Sequence, residues 1–166
     1  MAFTTHILVL ANRTVDAAPL MDALEERARS GPVAVTLLVP ARMDERDAAR
    51  RRMEGAVACL REGGIDAEGR LGPEEPISAI AEEYDNARYD EIIVSTLADG
   101  QSRWLAQGLP GRVARLTGAV VHHVACPKER LAAPVPIRPA ARHRPVFEGI
   151  LSQLHVDTND VGHPYG

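Results

Sequence analysis

The sequence predicts a doubly wound α/β fold on an open, five-stranded parallel sheet. Three observations carry that expectation. Short continuous apolar runs recur along the chain, as in strands covered on both faces. Stretches with apolar residues at helical spacing separate them. Five strands alternating with four helical regions require right-handed crossovers onto one sheet. A chain of 166 residues is enough for one such domain, at roughly 100–200 residues each.

Ile7 to Ala11 (ILVLA) is the first apolar run. Asp16 is placed to cap the helix that follows, with Pro19 in its first turn. Leu20, Ala23, Leu24 and Ala28 recur along one face, and Ser30-Gly31-Pro32 stops the helix. Val33 to Val39 (VAVTLLV) is the second strand. The second helix opens near Asp44 and buries Ala49, Met53, Ala56, Val57 and Leu60, while Arg50, Arg51 and Arg52 read as a solvated face. Gly63-Gly64 ends it.

Ile65, Ala67, Gly69 and Leu71 then alternate with Asp66, Glu68 and Arg70, and this polar alternate face predicts an edge strand. Ile77, Ile80, Ala81 and Tyr84 form the stripe of a third helix begun near Pro76. Glu91 to Thr96 (EIIVST) is the fourth strand. Leu105, Leu109, Val113 and Leu116 mark a last helical region interrupted at Pro110 and stopped by Gly118. Ala119 to Val124 (AVVHHV) is the fifth strand.

After Pro127 the character changes. Pro134, Pro136, Pro139, Pro145 and Pro164 fall in a stretch without strand pattern. Residues 1–128 are therefore expected to form the α/β domain and 129–166 a proline-rich tail. Phe147, Ile150, Leu151 and Leu154 return to helical spacing there, as a short amphipathic helix that docks on this domain or on a partner.

The formal net charge of −4 argues against a nucleic-acid binder, which shows a basic stripe. Of nineteen basic residues, all but Lys128 are arginine. Arginine forks onto phosphate and carboxylate, so a concentration of it at one place would matter. Cys59 and Cys126 form no framework, which fits a reducing compartment. No signal-peptide pattern and no long apolar span is present, so a cytoplasmic protein without membrane attachment is expected.

No G-x-S-x-G, H-E-x-x-H or P-loop occurs, and no catalytic residue or enzyme activity is expected. His122 and His123 are adjacent on a strand and point to opposite faces, so they cannot jointly hold a metal, and no metal site is expected. Glu74-Glu75 and Glu82-Glu83 read as exposed helix charges.

In open α/β sheets ligands bind beyond the carboxyl ends of the strands, where strand order reverses. Asn12, Arg13 and Thr14 follow the first strand, and Val39 closes the second, ahead of Pro40-Ala41-Arg42. Ser95 and Thr96 end the fourth, and Arg103 follows in the loop from Leu97 to Gln107. Trp104, beside Arg103, either packs in the core or stacks on a ligand.

At this point the chain resembles a known family. Ile7 to Thr14 (ILVLANRT) resembles the first strand and loop of universal stress proteins, usually a run ending Val-Asp-Gly-Ser. Gly111-Arg112-Val113-Ala114 resembles their Gly-Ser-Val-Ala entry into the last helix. The resemblance covers residues 6–126. It implies a Rossmann-like sheet in the order 3-2-1-4-5, a role in stress response, and a homodimer paired through the fifth strand.

In that family ATP rests on an acid after strand one and on G-x2-G-x9-G-[S/T] after strand four. Here the acid is replaced by Asn12. Counting back from Gly111, the earlier glycine positions fall on Ala98 and Gln101 and the hydroxyl position on Arg112. Gly100 restores one glycine only if the loop length shifts. These departures imply a regulatory module that does not hold ATP in the family manner, and no cofactor is expected.

Two arrangements of the crevice remain open. In one, Arg13, Arg103 and Arg112 gather around it and bind another small anionic ligand through charge-assisted forks. In the other, their side chains and Trp104 fill it and pair with Asp99 or backbone carbonyls, and the chain is an interaction module. A third reading, a nucleotide-acting enzyme of the α-hydrolase type, rests on fold analogy alone.

Overall fold

In the computed structural model, which describes residues 2–98 and 102–128, five parallel strands form one sheet. They are Thr5–Leu10 (β1), Val33–Pro40 (β2), Asp66–Gly72 (β3), Glu91–Leu97 (β4) and Val120–Cys126 (β5), in the order β3-β2-β1-β4-β5. The helices are Ala18–Ser30 (α1), Arg46–Glu62 (α2), Pro76–Glu83 (α3), Arg103–Ala106 (α4) and Leu109–Thr117 (α5). Asp99, Gly100, Gln101 and the proline-rich stretch, with its Phe147–Leu154 face, lie outside the described residues.

The period of two along the strands builds two cores. Ile7 and Val9 of β1, with Val35 and Leu37 of β2 and Ile93 of β4, face α1 and α2. Leu8, Leu10, Leu38, Ile92 and Val94 face α3 and α5, against Ile80, Leu109 and Val113. Both faces of the central strands are thus covered, which is why they read as unbroken apolar runs. The α2 stripe is buried as its spacing predicts, at Ala49, Met53, Ala56, Val57 and Leu60.

Several local expectations are corrected. Ala17, not Asp16, occupies the cap position of α1, without a side-chain bond, and Met21 joins Leu20 and Leu24 as a buried residue. Arg52 is half-buried rather than solvated, its Nη2 donating to Asn12 Oδ1 over 3.4 Å. On α3 the buried residues are Pro76, Ala79 and Ile80, so Ala81 faces out and Tyr84 lies just past the helix. The last helical region breaks at Gly108, whose φ of 64° is left-handed, and Pro110 sits in the first turn of α5. Leu105 and Leu116 are exposed.

Edge strand β3 admits its helices closely through glycine. A Cβ at Gly72 would stand 2.8 Å from the Ala79 Cβ of α3, and one at Gly69 would stand 2.8 Å from the Met53 sulfur of α2. Around this edge, Glu83 is drawn inward rather than exposed. It accepts from Tyr89 Oη over 2.6 Å and pairs with Arg70 and Arg88. At the start of β4, buried Glu91 pairs with Arg27 of α1 and with His122 of β5. His123 turns to the other face and bonds Thr96 Oγ1 at 2.8 Å, as alternation requires. Among the described residues, no helix is long and apolar enough to cross a membrane.

Candidate functional site

A cleft of about 610 Å³ opens where the carboxyl ends of β1 and β4 part toward opposite sides of the sheet. The register sets this up. Leu10, the last residue of β1, lies opposite Leu38 on one side and Val94 on the other. The chains leaving β1 and β4 therefore emerge side by side and then diverge to their own helices.

The loop after β1 is a tight turn, with Val15 N–H donating to the Asn12 carbonyl over 3.3 Å and Ala17 N–H to that of Thr14 over 3.1 Å. The buried Thr14 hydroxyl donates to the Ser95 carbonyl over 3.2 Å and ties this turn to β4. Ser95 Oγ lies 3.4 Å from Cys126 Sγ. Burial raises the Cys126 thiol pKa, partly offset by this Ser95 contact. The hydroxyls of Thr14, Ser95 and Thr96 are thus committed to the protein, and they shape the cleft floor more than they offer donors to it.

Asn12, Arg13, Thr14, Ser95, Thr96 and Arg103 line the cleft as expected from their loops. Three other expected residues do not. Val39, near the end of β2, is fully buried in the core beneath α1 and α2. Gly111 and Arg112 are exposed on α5, because the break at Gly108 starts the helix before them and carries both away from the opening. The crevice set of Arg13, Arg103 and Arg112 is reduced to two.

Four residues the sequence reading passed over also line it: Glu45, Glu74, Glu75 and Pro76. The available signal was an acid directly before Pro76, the pattern of a helix start. Glu75 indeed caps α3, accepting from Ile77 N–H at 2.6 Å and Ser78 N–H at 3.2 Å. Its carboxylate thereby occupies the anion position at that helix end. Arg42 is likewise engaged. Its bond to Asp44 and the nearby charge of Glu74 push its pKa further up. Arg13 and Arg103 are exposed at the rim, and no carboxylate pairs with either among the described residues. Trp104 is half-buried, packing against the α3/α5 core while lining the cleft.

No family model matches the chain, and no curated protein matches it. Solved structures do. The chain is similar to universal stress proteins. One, from Archaeoglobus fulgidus in complex with dAMP, is 19% identical with a TM-score of 0.48, covering 75% of this chain and 99% of that one. A second structure from Archaeoglobus fulgidus is 16% identical with a TM-score of 0.48, covering 74% and 98%. A universal stress protein in complex with cAMP is 19% identical with a TM-score of 0.46, covering 76% and 99%. The five-stranded order 3-2-1-4-5 stands on the strand pairing itself.

Proposed function

We propose that the chain is a regulatory binding module of the universal stress protein type whose cleft takes a small anionic ligand, not ATP in the family manner. One observation carries this reading: Arg13 and Arg103 border a cleft of about 610 Å³ without a carboxylate partner among the described residues. A guanidinium in that position is a ready fork for a phosphate or carboxylate. Of the other charges around the opening, Glu75 is matched by the α3 backbone and Arg42 by Asp44 and Glu74, while Glu45 has no ion pair among the described residues.

The displacement of Arg112 onto the outer face of α5 supports the departure from ATP. The position that would carry a hydroxyl toward phosphates carries a solvated arginine instead. The role is binding, without catalysis, in a cytoplasmic protein.

The reading includes a homodimer through β5. That strand is a sheet edge, and Val120 is 61% exposed on it. Unpaired backbone groups beside apolar side chains are suited to a second copy.

Titrating inorganic phosphate and magnesium-ATP, followed by Trp104 fluorescence and thermal stability, tests the ligand class. Phosphate saturation lost in Arg13→Ala and Arg103→Ala is expected. Tight, magnesium-dependent ATP binding that survives both substitutions overturns the reading.

A further inference from the structure

Asn12 sits in the cleft lining, and its side chain has one protein partner among the described residues. Arg52 of α2 reaches across and donates from Nη2 to Asn12 Oδ1 over 3.4 Å. Arg52 is otherwise oddly placed for an arginine on a polar helix face. It is half-buried, and its Nε is buried without a hydrogen-bond partner among the described residues. An orphaned buried donor is unfavourable. The neighbouring Arg50 and Arg51, by contrast, are exposed.

An asparagine amide carries one acceptor end and one donor end. With Oδ1 engaged by a guanidinium, which can only donate, the amide cannot flip without setting two donors against each other. The donor end, Nδ2, is then the end left for the cleft. Asn12 also adjoins Arg13 in sequence, so amide and guanidinium donors border the same opening.

We propose that Arg52 is a positioning residue that sets the polarity of the cleft floor, holding Asn12 so that it donates to an oxyanion group of the ligand. This rests on the anion reading above and names what selects for it. The recognised chemistry is a carboxylate, sulfate or phosphate oxygen that accepts from Asn12 Nδ2 together with the rim arginines. An aspartate at this position would pair with Arg52 and present acceptors, and the cleft would repel the same group.

The test uses the full chain and inorganic phosphate, with Trp104 fluorescence as the readout and thermal unfolding as the control for folding. Arg52→Gln is expected to weaken phosphate binding roughly tenfold, the scale of one hydrogen bond to a charged group. Arg52→Lys, which keeps a charged donor of similar reach that the shorter, neutral glutamine lacks, should restore part of that loss, and Asn12→Asp should abolish binding. The decisive comparison is a double-mutant cycle. In an Asn12→Ala background, Arg52→Gln should have no further effect, because it acts through the missing amide.

Equal losses from Arg52→Gln in the two backgrounds overturn the proposal and assign Arg52 a long-range charge effect. Phosphate binding that needs Arg13 and Arg103 but ignores Arg52 and Asn12 overturns it while leaving the anion reading intact. Absence of phosphate binding by the unsubstituted protein overturns both.

Discussion

The Thr14 hydroxyl donates to the Ser95 carbonyl over 3.2 Å, joining the turn after β1 to the last residues of β4. Both residues are buried. These are the two strands whose chains part to open the cleft, so this bond holds its floor together. Thr14→Val keeps the shape and removes the donor, taking one hydrogen bond from a buried carbonyl. A loss of about 1–2 kcal/mol in urea unfolding is expected. Thr14→Ser should recover most of it.

The contact of Gly72 with Ala79 predicts an asymmetry along β3. A Cβ at either Gly69 or Gly72 meets an atom at 2.8 Å, but the obstacles differ. Met53 is long and can rotate away, whereas the Ala79 Cβ is fixed to the α3 backbone. Gly72→Ala should destabilise by about 1–3 kcal/mol and Gly69→Ala by less. Thermal unfolding of the two variants side by side measures the difference.

Buried Tyr89 donates to Glu83 Oε1, and burial, then this bond, pushes its pKa from 10.0 up to about 12. The folded state therefore keeps the phenolic proton to higher pH than the unfolded chain. Its contribution is complete below pH 10 and is lost as pH rises through the folded value. Cys126, also raised by burial, adds a decline of the same sign. Stability measured against pH should fall on the alkaline side, and Tyr89→Phe should make that limb shallower while lowering stability near neutrality by about 1 kcal/mol.

Glu91 is nine-tenths buried, and its Oε1 has no hydrogen-bond partner among the described residues. Its Oε2 depends on Arg27 and His122. Arg27→Ala strands the carboxylate and should destabilise by about 2 kcal/mol, below the range for fully buried pairs because Arg27 is itself 40% exposed on its side chain. Adding Glu91→Gln should return part of that loss. Additive losses in the two substitutions would contradict the pairing.

The strands and their two faces were legible because period-two burial writes itself directly into β1, β2 and β4. The edge character of β3 was legible for the same reason, from the polar alternation of Asp66, Glu68 and Arg70. The site was only partly legible. Asn12, Arg13 and Thr14 follow a strand end and had to lie near the cleft. Arg112 was misplaced because position counting assumes a loop running up to Gly111, whereas Gly108 turns left-handed and the helix starts earlier. Charge alone predicts Arg52 and Glu83 to be solvated. Their burial depends on Asn12 and Tyr89, partners 40 and 6 positions away, which periodicity does not report.

Arg13 and Arg103 are proposed to bind an anionic group in the cleft. A Trp104 fluorescence titration with inorganic phosphate, in the unsubstituted protein and in the Arg13→Ala/Arg103→Ala double variant, tests it most directly. A saturable change that weakens at high salt and vanishes in the double variant is the predicted result. An identical titration in both proteins would contradict it, as would no response in either.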